Sequence, residues 1–124
     1  MDKIKSFTDL ITWQEGHRLV LLIYKATDNF PQKEVYALTS QMRRASVSIT
    51  SNIAEGFSRN SSKEKIQFFY MALGSITELQ NQLIIAKDLK YINEQTFNEI
   101  WNLSVVVNKL ANGLIKNLKI ILNT

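Results

Sequence analysis

The sequence predicts an all-α fold, an antiparallel up-down-up-down four-helix bundle forming one domain over residues 1–124. Three observations carry this. Apolar residues recur three and four apart along nearly the whole chain, the rhythm of helix faces. One proline and four glycines leave few places to turn. Three short breaks, near Phe30-Pro31, Ser58–Asn60 and Lys90–Asn93, cut the chain into four long segments. Short links make consecutive helices antiparallel neighbours.

Residues 1–11 read as a lead-in anchored by Phe7, Leu10 and Ile11. Thr12-x-x-Glu15 has the form of a capping box, so the first helix is expected to start near Trp13. Its face is Trp13, Gly16 or His17, Val20, Ile23 and Thr27, widened by Leu19, Leu22 and Ala26. It ends near Asp28-Asn29, because a residue before proline is pushed out of the helical region. The second helix is expected from about Lys33 to Phe57. Its apolar line is Leu38, Met42, Ala45, Ile49, Ile53 and Gly56. Beside it runs a polar line, Gln41, Arg44, Ser48, Asn52 and Glu55. Ser46, Ser48, Thr50, Ser51 and Asn52 are mediocre helix formers, so packing against other helices must hold this segment helical. Their side chains then bond locally or across an interface.

Ser61-x-x-Glu64 opens the third helix, which runs to about Leu89. Gly74 lies mid-helix beside the small Ala72 and Ser75, which suggests a close approach to the second helix. Asn93 caps the fourth helix, Glu94 to about Leu118. The tail from Lys119 to Thr124 is apolar for a chain end and either continues the helix or docks on a neighbour. The faces of helices one, three and four look wider than the roughly 100° stripe a bundle needs. Such width argues for self-association.

Composition excludes several functions. With no cysteine there is no disulfide framework and no thiolate chemistry. The longest apolar run, Leu19 to Tyr24, is far shorter than a membrane span, and a soluble cytoplasmic protein is the expectation. The single histidine, His17, rules out a ferritin-like di-metal site and histidine pairs for zinc. No phosphate loop or nucleophile elbow appears, so no cofactor, no metal and no catalysis are expected. The net charge of +4 concentrates between residues 31 and 65. There Lys33, Arg43, Arg44, Arg59, Lys63 and Lys65 face only Glu34, Glu55 and Glu64.

Arg43, Arg59, Lys63 and Lys65 are therefore the candidate nucleic-acid contacts, helped by Ser58, Asn60, Ser61 and Ser62 as added donors and by the helix start at Ser61. On one subunit the plainer reading is an ordinary solvated turn. A ring of subunits would repeat a weak patch and add avidity. Arg44, Ser48, Asn52, Glu55, Gly74 and Glu78 read as fold or assembly residues. A charge near a close interface needs a partner, and Arg44 could find Glu78, or Glu55 of another subunit.

The pattern Q-x-x-R-A-x-x-S-I-x-x-N-I-A-E-G is present as Gln41, Arg44-Ala45, Ser48-Ile49 and Asn52 to Gly56. With Leu10, Trp13, Tyr24, Phe30-Pro31, Glu34, Tyr36, Leu38, Ala72, Gly74-Ser75 and Glu78-Leu79, it resembles the bacterial 23S rRNA intervening-sequence proteins over roughly residues 7–118. One departure is Ala37, where that family commonly has glycine. The resemblance implies a four-helix bundle that forms a ring-shaped homopentamer. It also implies a non-enzymatic association with RNA or DNA. Related accessory proteins of diversity-generating retroelements are basic pentamers that bind nucleic acid and a reverse transcriptase. The alternative it leaves open is a scaffold that recruits a protein partner, with little nucleic-acid binding of its own.

Overall fold

Helical structure begins at Phe7, earlier than the Thr12 capping box implies, in a computed structural model that describes residues 3–122. Ser6 Oγ accepts from the Thr8 N–H at 3.2 Å, and Asp9 accepts from the Ser6 N–H at 3.1 Å. This capping box opens a 3-10 turn at Phe7–Asp9. Leu10 then leads into α1, Ile11–Thr27, without a side-chain cap. Thr12 cannot serve as one, because it lies on the buried stripe with Gly16, Leu19 and Ile23. Leu10 is buried as an anchor, and Phe7 packs edge-on against Trp13, but Ile11 is exposed.

The second helix starts later than expected. Pro31 leads into a 3-10 turn at Gln32–Glu34, and α2 is Leu38–Ser58. Glu34 accounts for the delay. Its Oε1 accepts from the Leu38 N–H at 3.4 Å, and its Oε2 accepts from the Tyr91 hydroxyl at 2.8 Å. The connection is thus tied both to the helix it precedes and to the turn before the last helix. Ala37, the departure from the family pattern, is the residue immediately before α2 and lies outside helical geometry.

The remaining ends follow the sequence reading. Ser61 Oγ accepts from the Glu64 N–H at 3.2 Å to open α3, Ser62–Asp88. Asn93 accepts from the Thr96 N–H at 2.7 Å ahead of α4, Glu94–Leu122. Between them Lys90 adopts a left-handed φ of 68°, with Tyr91 N–H donating to Ala86 O and Lys90 N–H to Lys87 O. This is a Schellman ending with lysine in the place glycine usually takes. The apolar tail continues α4 as far as Leu122; residues 123 and 124 lie outside the described residues.

Each helix packs on its chain neighbours, and α1 packs on α4 to close the bundle. Leu19, Ile23, Met42, Ile49, Ile53, Ile76, Leu79, Leu83, Ile100 and Val107 fill the centre. Several α2 hydroxyls bond as expected, locally or across an interface. Ser46, Thr50 and Ser58 donate to carbonyls three residues back. Ser48 and Ser75 share a hydrogen bond of 2.9 Å between α2 and α3.

The close approach of α2 and α3 is not at Gly74. A Cβ there would meet nothing within 4 Å, because Gly74 is on the exposed side of α3. The tight point is Gly56, where a Cβ would stand 2.6 Å from the buried Phe69 ring and 3.1 Å from Phe68 Cβ. Gly56→Ala is therefore expected to lower stability by about 1–3 kcal/mol in urea unfolding. Gly74→Ala should raise it by about 0.5–1 kcal/mol, as alanine restricts the unfolded chain. Equal effects at the two positions would contradict this placement.

The Tyr91 hydroxyl is held above its ordinary pKa, first by its bond to Glu34, then by desolvation and the Glu34 charge. A phenol whose folded pKa is raised stabilises fully below its unfolded value, about 10, and loses that contribution as pH rises through the folded value. Wild type should thus be more stable than Tyr91→Phe at pH 8. The difference should close with rising alkalinity in thermal unfolding scans of both proteins.

Candidate nucleic-acid interface and assembly surface

An antiparallel bundle brings the start of α1, the end of α2, the start of α3 and the end of α4 to one end. Lys3, Lys5, Arg59, Lys63, Lys65, Lys116 and Lys119 gather there, against Asp9, Glu15, Glu55 and Glu64. The opposite end carries Lys25, Lys33, Arg43, Arg44, Lys87 and Lys90 against Asp28, Glu34, Asp88, Glu94 and Glu99. The positive excess therefore favours the end that holds the α2–α3 turn.

The four residues singled out for phosphate contact are not one patch. Arg43 lies 16 residues before Arg59 on α2, about 24 Å along the axis. Its Nε donates to Thr27 Oγ1 at 2.9 Å, and an Nη donates to Asp28 at 3.1 Å. The guanidinium also lies 4.7 Å from the centre of the Tyr24 ring. A cation so placed at the C-terminal end of α1 complements the helix dipole and ties α1 to α2.

Lys65 is likewise occupied. Its Nζ donates to Phe57 O at 2.6 Å, which satisfies a carbonyl at the end of α2. Arg59 pairs with Glu55 at 2.9 Å and stacks over Phe68. Lys63 is exposed with no partner among the described residues. Lys116 and Lys119 join it from α4, Lys119 lying 5.3 Å from the centre of the Tyr70 ring. Sequence reasoning counted charge along the chain and so missed these α4 lysines. Counting by bundle end would have found them.

The polar line on α2 is exposed or half-buried along its length. Arg44 is exposed and pairs with no acid among the described residues. The expected Arg44–Glu78 pair does not form within the chain, since Glu78 instead accepts from Gln82 Nε2 at 3.1 Å. Glu55 is taken by Arg59, and Asn52 donates to Ser48 O at 2.9 Å. Over the first half of α2 lies an open groove of about 750 Å³. Tyr24, Val35, Tyr36 and Val47 give it apolar walls, and Thr39, Arg44, Ser48 and Ser51 give it polar ones. Tyr36 stands 97% exposed at its rim. No periodicity marks Tyr36, because it sits in a connection rather than on a helix face.

His17 lies on the surface, stacked on Trp13 at 4.8 Å between ring centres, with no hydroxyl or carboxylate bonded to it among the described residues. Among the described residues no cluster of three or more His, Cys, Asp or Glu could hold a metal. No described helix is long and apolar enough to cross a membrane.

A solved structure from Bacteroides thetaiotaomicron is similar to this chain. It is described as a protein with unknown function from the S23 ribosomal protein family. The two are 25% identical and superpose with a TM-score of 0.76, over 85% of this chain and 98% of that one. Curated proteins give no match. The profile of the 23S rRNA-intervening sequence proteins matches residues 8–113. This sequence match, on a bundle whose α2 carries the signature residues Gln41 to Gly56, places the chain in the 23S rRNA-intervening sequence protein family.

Proposed function

We propose that this chain is a non-enzymatic assembly protein that forms a homo-oligomer, a ring of five by family resemblance. In this reading its basic end meets the phosphate backbone of RNA or DNA. The observation that carries the nucleic-acid part is the convergence of Lys63, Lys116 and Lys119 with the N-terminal lysines at one end of the bundle. In a ring whose helices run along the axis, every copy turns this end to the same rim. A patch too weak alone is then repeated around a circle. Self-association is supported by the apolar residues left exposed on every helix, among them Leu21, Val47, Met71, Ile85 and Val106.

A second reading has its own support. Arg43, Arg59 and Lys65, three of the four anticipated phosphate ligands, make bonds inside the fold. That favours a scaffold that recruits a protein, such as a reverse transcriptase, with little intrinsic affinity for nucleic acid.

Binding of a fluorescent single-stranded RNA of mixed sequence across a salt series separates the two. The first reading predicts a log–log slope of about −0.7 per contacted phosphate, made shallower by Lys63→Ala with Lys116→Ala. Arg43→Ala should leave the slope unchanged while lowering stability by about 1–2 kcal/mol, since its bonds join α1 to α2. No binding at low salt, or binding indifferent to salt, would favour the protein scaffold.

A further inference from the structure

We infer that the α2 groove is the socket for a second copy of this chain, which inserts the outward strip of α3. The inference rests on the self-association proposed above and identifies its two surfaces.

The groove offers three things the protomer leaves unused. Arg44 is exposed with no acidic partner among the described residues. Thr39 Oγ1 is buried, lines the groove and has no hydrogen-bond partner among the described residues. Tyr36 and Val47 present apolar surface to solvent. A large aromatic residue and an arginine around a pocket are the residue types that anchor interfaces.

The strip on α3 has the complementary character. From Ile66 to Ala86 it contains no lysine or arginine, and its one acid is Glu78. Met71 and Ile85, seven residues to either side of Glu78, fall on the same outward side and are exposed. Gly74 lies between them, with no atom of the described residues within 4 Å of where a Cβ would stand, so another chain can approach the α3 backbone closely there. Gln82 Oε1, one turn on from Glu78, is buried without a partner among the described residues. Positive groove and negative strip thus match in charge, and each has apolar flanks.

The two surfaces sit on neighbouring helices. They face different directions, so a head-to-tail contact between them rotates each copy relative to the last, and such a contact forms a ring where that rotation closes.

The test is charge exchange, read by light scattering at micromolar concentration with circular dichroism to check folding. Arg44 and Glu78 are both exposed, so their exchange leaves the core untouched. Arg44→Glu alone and Glu78→Arg alone should each weaken assembly at least about tenfold, because like charges then face each other. The double variant should restore it. A wild-type protein that is a 14.3 kDa monomer would overturn self-association itself. An oligomeric wild type whose single variants assemble equally well would overturn only this pair of surfaces, as would a double variant that stays dissociated.

Discussion

The fold depends on α2 having a single narrow stripe of adequate core residues and little else to keep it helical. Met42, Ile49 and Ile53 are fully buried, and Ala45 and Gly56 let neighbouring helices come close. The rest of the helix is serine, threonine, asparagine and charge, which favour helix weakly. Packing on α1 and α3 supplies what propensity does not. Local bonds from Ser46, Thr50 and Ser58 to the backbone absorb the hydroxyls. Cross-links to each neighbour add direction: Arg43 to Thr27 and Asp28 on the α1 side, Ser48 to Ser75 on the α3 side.

That economy has a consequence for function. A helix that spends its small residues on close packing on one side presents small residues on the other side too. Ser40 and Ser51 leave α2 with a shallow outer face, and the protruding connection at Val35 and Tyr36 turns that face into a groove. The same signature residues therefore serve the core from one side and offer a surface from the other. The charged members of the signature divide in the same way. Glu55 is consumed inside the protomer, as is Arg43 beside the signature, whereas Arg44 is not.

Most of the architecture was legible in the sequence, because a 3.6-residue rhythm and the Ser61 and Asn93 caps leave little choice of fold. The misplaced starts have local causes. Thr12 looks like a cap but falls on a buried stripe, and Glu34 is drawn to Tyr91, 57 residues away, by a contact no local pattern shows. The small neighbours of Gly74 suggest a close approach there, whereas the tight point is Gly56, visible on the apolar line of α2. The candidate site was less legible. Partners of Arg43 and Lys65, and the Phe68 ring under Arg59, come from other helices or from helix ends, and the α4 lysines join the α2–α3 turn only through topology.

Tertiary packing, not local preference, makes α2 a helix. Native-state hydrogen exchange on the full chain, set beside circular dichroism of a synthetic peptide of residues 38–58, tests it most directly. The account predicts a largely unstructured peptide, while the amides from Met42 to Ile53 in the protein exchange only when the whole bundle unfolds. A peptide that is helical alone, or α2 amides that open while the other helices stay protected, would contradict it.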